Sequence, residues 1–248
     1  MLKNAFLYML NDNKFLNKYL ICFIFVLTVL FCNAFLSSDM FVFKNIVTPI
    51  LLSIVEFLIF VIILGYRIIC VQALKIDNQF YAIPLFKLCN NFIKGFKYQL
   101  AVIIFAIPIF YLITGFAILS GTSMIFNNNV YIIFLALAII TLIFYSIYNL
   151  LFNIGFINLY VQKNSYLIFY NIKLLLSCIK KNVKRYLSCL LIYCLIPILL
   201  MIFNMLTCQT NIILFFIILI VTSLLITYLF FVNNYLIANC ITDENIEN

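Results

Sequence analysis

Two long stretches of this 248-residue chain carry no charged side chain: 65 positions from Tyr98 to Gln162 and 57 from Tyr186 to Thr242. An ionised group at the centre of a bilayer costs roughly 2.5 to 3.5 kcal/mol on insertion scales, so charge-free runs mark where a chain can cross. A helix rising about 1.5 Å per residue needs about 20 residues to span roughly 30 Å of hydrocarbon. Each long run therefore holds two crossings and a turn. Residues 19 to 38 give a fifth, and the 22 residues between Lys44 and Arg67, interrupted only by Glu56, give a sixth. The expected fold class is all-α, a polytopic helical membrane protein with spans near 19–37, 46–70, 98–119, 130–158, 187–206 and 211–236.

Composition excludes the soluble alternatives. Apolar residues make up 67% of the chain and charged ones 9%, against roughly half and a quarter in soluble domains. So few charges could not cover a compact surface in water. The net charge of +8 is informative through its placement. Lys3, Lys14 and Lys18 precede the first span; Lys75, Lys87, Lys94 and Lys97 follow the second; Lys163, Lys173, Lys180, Lys181, Lys184 and Arg185 follow the fourth. The opposite loops hold Lys44 alone. Basic residues in short loops stay cytoplasmic, so both termini are expected there, and the acidic tail Asp243, Glu244, Glu247 weighs little in that rule. No soluble module offers the basic patch with aromatic platforms that nucleic acid requires, so no nucleic-acid partner is expected.

The apolar run of the first span exceeds a signal-peptide h-region, and Asn33-Ala34-Phe35 is not a small-x-small cleavage site, so this helix is expected to stay. Nine cysteines form no C-x-x-C pair, and inside spans the thiol packs as a small apolar group. There is no histidine, so the usual zinc and di-iron sets cannot be assembled, and no metal site or cofactor is expected. Tryptophan is also absent, which leaves 16 tyrosines to supply the interfacial belt.

The chain reads as one integral membrane domain, 1–248, built from three units over 1–75, 80–160 and 165–238, each a basic lead-in followed by a helical hairpin. The second and third share Ile93-Lys94-Gly95-Phe96-Lys97 leading to Pro108, and Ile179-Lys180-Lys181 leading to Pro197. Two lead-ins have amphipathic spacing. Leu85, Cys89, Phe92, Ile93 and Phe96 alternate with Lys87, Asn90, Asn91, Lys94 and Lys97; Ile168, Ile172, Leu175, Leu176 and Ile179 alternate with Lys173, Ser177, Lys180, Lys181 and Lys184. Both are expected to lie in the interface, the first opened by Pro84.

Gly65-Tyr66-Arg67 closing the second span, Ile83-Pro84-Leu85-Phe86, the Gly95-Phe96-Lys97 entry to the third span and Pro108 together resemble the multi-pass family called domain of unknown function 4013, over roughly residues 10 to 200. That family's segment after the first proline is typically acidic and aromatic, whereas this chain has Lys87, Leu88, Cys89 and Asn90. The resemblance implies a prokaryotic inner-membrane protein and carries over no catalytic residue.

Glu56 is the one ionisable group well inside a span, which makes it a candidate intramembrane polar site. Thr28, Tyr111, Thr141, Tyr145, Tyr193, Thr222 and Ser223 fall near its depth as potential partners. Tyr145, Tyr148, Asn149, Asn153 and Tyr160 form a polar stripe on the fourth span, with Asn233 and Asn234 at similar depth on the sixth; such stripes join helices by hydrogen bonds. The candidate site comprises Glu56, Tyr145, Asn149 and Asn153. Arg67 lies about 16 Å from Glu56 along the helix and is expected to snorkel to phosphates. It joins Lys87, Lys94, Lys97, Lys180, Lys181, Lys184 and Arg185 in a candidate interfacial basic surface.

Enzyme chemistry lacks its parts: the spans offer one carboxylate, no histidine and no glycine-rich phosphate loop. The expected role is therefore a non-enzymatic accessory or scaffolding protein of the cytoplasmic membrane, partnered by membrane lipids and a membrane protein. The alternative is a transporter or lipid-handling protein using Glu56, which the prolines of the third and fifth spans would support by breaking their helices.

Overall fold

The computed structural model describes residues 2–8, 12, 14–37, 47–75, 83–125, 130–163, 165, 168, 171–207 and 212–241. Among them the chain forms α1 (Leu2–Leu7), α2 (Phe15–Ser37), α3 (Val47–Lys75), α4 (Leu88–Ile125), α5 (Tyr131–Lys163), α6 (Ile172–Lys181), α7 (Val183–Thr207) and α8 (Ile212–Asn239), and no strand. Lys44, Cys208, the side chain of Asn149 and the acidic tail lie outside the described residues. Helices α2, α3, α4, α5, α7 and α8 are long and apolar enough to cross a membrane. The protein is an all-α, multi-pass membrane protein with six candidate spans, as the spacing of charges requires.

Two lead-in expectations need correction. Residues 88–97 are not a separate interfacial helix but the first turns of α4, whose 38 residues run unbroken for about 57 Å. The face turned to the protein is also not the apolar one: Asn91, Gly95 and Tyr98 are buried, while Cys89, Ile93 and Phe96 are exposed. Close helix contact selects small side chains, and an apolar outer face costs nothing beside lipid. Pro84 does not open this helix. It lies four residues upstream, where its carbonyl accepts from the Tyr66 hydroxyl at 2.9 Å.

The prolines likewise do not interrupt the spans. Pro108 sits within continuous α4 and Pro197 within continuous α7, both exposed. Each removes one backbone donor, a loss that membrane helices absorb locally.

Helices α3 and α8 lie at the centre. The first packs on α2, α4, α5 and α8, the second on α1, α2, α3, α5 and α7. The main core joins Tyr66, Cys70, Tyr98, Ile157, Leu175, Phe231 and their neighbours at the end of the bundle where the lysines collect, here called the basic end. A second core of Val26, Leu30, Ala34, Phe203, Leu219 and Ile226 joins α2, α7 and α8 towards the opposite end. The α4–α5 hairpin belongs only to the first core, and along its outer half Ile107, Tyr111, Ile139 and Phe144 are exposed.

The sharpest contact in the bundle is glycine on glycine. A Cβ on Gly65 would meet the Asn91 carbonyl oxygen at 1.7 Å and the Gly95 nitrogen at 2.7 Å, and one on Gly95 would meet the Val61 oxygen at 1.9 Å. Antiparallel α3 and α4 thus cross backbone to backbone, an approach that only a residue without a side chain permits.

The basic end is closed by buried polar contacts. Asp12 and Lys18 form an ion pair at 2.6 Å, both nearly sealed from solvent. Asp12 also accepts from the Lys14 and Ile83 amides, each at 2.8 Å, and Lys18 donates to the Ile83 carbonyl, which ties the start of α2 to the segment before α4. Burial raises the Asp12 carboxyl, but the bonds from Lys18, Lys14 and Ile83 outweigh it and hold the group below its ordinary range. At the end of α8, Asn158 Nδ2 donates to the Ile237 and Ala238 carbonyls, while Lys75 Nζ donates to Asn158 Oδ1 at 2.7 Å and to the Ile241 carbonyl at 2.6 Å. These bonds satisfy carbonyls that a helix terminus leaves without intrahelical partners, and the ammonium complements its dipole. Helix α1 is not a loose tail. Phe6 and Tyr8 pack on Tyr228 and Tyr235 of α8.

Candidate functional site

The strongest polar constellation inside the bundle draws on five spans. Tyr98 of α4 donates to Asn153 Oδ1 of α5 at 3.0 Å. Asn153 Nδ2 donates to the Tyr193 hydroxyl of α7 at 3.2 Å. The Arg67 guanidinium of α3 lies 5.7 Å from the Tyr193 ring centre and 5.0 Å from that of Phe230, and its Nε donates to Asn234 Oδ1 of α8 at 3.2 Å. Tyr160 closes the wall, edge-on to Tyr98 at 5.3 Å. Arg67, Tyr98, Asn153 and Tyr193 lie eight to ten residues from the basic ends of their helices, about 12 to 15 Å inward.

This placement corrects the reading of Arg67. It does not snorkel to the interface and is not part of the exposed basic surface, because Tyr193, Phe230 and Asn234 hold it half-buried inside the bundle. The sequence carried a signal for this: Ile68, Ile69, Cys70 and Val71 follow Arg67, so the apolar span continues past the charge. The gain is cation–π attraction and a hydrogen bond in a medium of low dielectric.

The predicted intramembrane residues are only partly brought together. Asn153 is the hub of the network. Tyr145 packs edge-on against Phe110 of α4 at 5.6 Å, which joins the hairpin rather than the site. Glu56 lies half-buried nearer the opposite end of α3, beside Cys32 of α2. Of its predicted hydroxyl partners, Thr28, Thr141 and Ser223 each donate to the carbonyl four residues back in their own helix, and Tyr193 belongs to the Asn153 network. Tyr98 and Phe230 are site residues that sequence reasoning did not single out.

Of the predicted basic surface, Lys87, Lys97, Lys180, Lys181, Lys184 and Arg185 are exposed. Lys94 is half-buried, donating to Gln72 Oε1 of α3 at 2.6 Å. Helix α6 is capped at its start and buried on one side. Asn171 Oδ1 caps its start, accepting from the Leu174 amide at 3.1 Å, and Leu175 and Cys178 are buried. Leu175 packs where a Cβ on Gly155 of α5 would meet it at 2.4 Å.

Residues 49–209 match the family described as a protein of unknown function, DUF4013. The chain belongs to this family. The matched region of DUF4013 begins in α3 and ends after α7, leaving α1, α2 and α8 outside, a shorter span on the N-terminal side than the motifs suggested. It contains both crossing glycines, Tyr66, Pro84 and Arg67, whereas Phe230 and Asn234 of the polar cluster lie beyond it on α8. Among curated proteins and solved structures, no match to this chain is found.

Proposed function

We propose that this DUF4013 protein is a non-enzymatic accessory protein of a prokaryotic cytoplasmic membrane, with both termini inside, that presents an exposed lysine-rich surface to an acidic membrane-protein partner and to anionic lipid. The observation that carries the reading is α6 and the start of α7. Lys173, Lys180, Lys181, Lys184 and Arg185 are all exposed, with no ion pair among the described residues, while Leu175 and Cys178 lock the opposite side of α6 into the bundle. Such an amphipathic segment lies at the membrane interface, where each basic residue near an anionic leaflet contributes about 1 kcal/mol. The continuity of α4 and α7 through their prolines removes the broken-helix argument for transport, and Glu56 stands apart from the polar cluster.

The test is extraction in native lipid particles, comparing wild type with the triple variant Lys180→Glu, Lys181→Glu, Lys184→Glu. Loss of a stoichiometric partner from the variant is expected, and unchanged co-purification would refute the reading. A C-terminal reporter tests the orientation, and a periplasmic signal would overturn it.

A further inference from the structure

Arg67 carries a charge whose counter-ion is not among the described residues. Its Nε is engaged by Asn234 and its face by two rings, which leaves both Nη groups without an acceptor there. Neither described acid can serve. Asp12 is bonded to Lys18, and Glu56 lies eleven residues away on the same helix, about 16 Å. The surroundings add donors rather than acceptors. The Tyr193 hydroxyl accepts from Asn153 and has its own hydrogen to give, while the Asn234 amide is already shared between Arg67 and the Cys70 thiol. A half-buried guanidinium fork without an acceptor, with a hydroxyl beside it, suits a tetrahedral oxyanion.

The cluster is also open on one side. Arg67, Asn153 and Tyr193 are only half-buried, because α5 and α7 touch sparsely where Asn153 and Tyr193 bridge them. Beyond that bridge, Ile139 and Ile143 on the outer half of α5 are exposed. An amphiphile reaching Arg67 with its head group would keep its chains beside apolar side chains.

We propose that the crevice at Arg67 binds a phosphate-type oxyanion, with the Arg67 guanidinium as clamp and the Tyr193 hydroxyl as second donor. The oxyanion has two sources, the head group of an anionic phospholipid or free phosphate, and the inference is independent of the basic surface on α6.

The experiment is native mass spectrometry of the full chain released from phosphatidylcholine nanodiscs carrying graded phosphatidylglycerol, with and without millimolar inorganic phosphate. Wild type is expected to retain one probe saturably. Retention of phosphatidylglycerol unaffected by phosphate assigns the lipid source, and competition or direct retention of phosphate assigns the free ion. Loss of a charge-assisted bond predicts about tenfold weaker retention in Arg67→Gln. Arg67→Lys should fall between, since it keeps the charge and loses the fork. Should Arg67→Gln fail to fold, Tyr193→Phe is decisive, with weaker retention expected. Equal retention in wild type and Arg67→Gln, equal retention in Tyr193→Phe, or no saturable retention of either probe by wild type would overturn the proposal.

Discussion

Adding one methyl group at Gly65 should loosen the whole bundle. The new Cβ would sit 1.7 Å from the Asn91 carbonyl oxygen, about half of the roughly 3.3 Å at which carbon and carbonyl oxygen meet. The obstacle is backbone on both sides, so no rotamer change relieves it, and α3 and α4 must separate by on the order of 1.5 Å. A gap of about 0.5 to 1 Å already forfeits a quarter to a half of the dispersion well for the lining atoms, and α3–α4 is the most extensive helix contact among the described residues. Gly65→Ala should therefore cost about 3 kcal/mol, the upper part of the overpacking range. For a chain of this size that is roughly 6 to 12 °C in melting temperature. The assay is thermal unfolding in lipid nanodiscs followed by a fluorogenic maleimide, which reports exposure of the buried thiols of Cys22, Cys70, Cys178 and Cys189. Gly115→Ala and Gly121→Ala are the controls, since nothing lies within 4 Å of a Cβ at either. If Gly65→Ala melts with the controls, the backbone crossing is not what holds α3 to α4.

Asp12→Asn removes the carboxylate partner of a sealed ammonium and should lower stability at pH 7 by about 3 kcal/mol. Because the native carboxyl sits below its ordinary range, its contribution is fully present above the unfolded pKa of about 4 and is lost as pH falls through the lower native value. Wild-type melting should be flat from neutral pH to about 5 and drop below about 4. A variant that keeps the full acid drop would show that other carboxylates cause it. Asn158→Leu leaves the Ile237 and Ala238 carbonyls and the Lys75 ammonium short of a partner, at about 2 to 3 kcal/mol. Amide exchange in the last turn of α8 should rise selectively, and unchanged protection there would contradict the capping role.

The count and position of the six spans were legible because charge is so costly in hydrocarbon that its absence alone marks a crossing. The stripe on α5 was legible as helix glue, and Tyr145 and Asn153 do join neighbouring helices. The lead-in before α4 was misread because hydrophobic periodicity says which face is apolar and not what covers it. In water the apolar face turns inward, whereas beside lipid the inward face of α4 is set by the fit of Asn91 and Gly95 against α3. Asp12, six residues from Lys18 and outside any helix, gave no sign that the two would meet and close on Ile83.

The sequence by itself determined that this chain is an all-helical membrane protein, how many spans it has and where its lysines gather, because those properties depend on transfer free energy, which is local and additive along the chain. Only the tertiary structure decided that Gly65 meets Gly95, that Arg67 turns inward to Tyr193, Phe230 and Asn234, and that Glu56 stays apart from Asn153. Those outcomes depend on the rotation and depth of each helix against its neighbours, and packing between helices fixes both once every span is already satisfied by the bilayer.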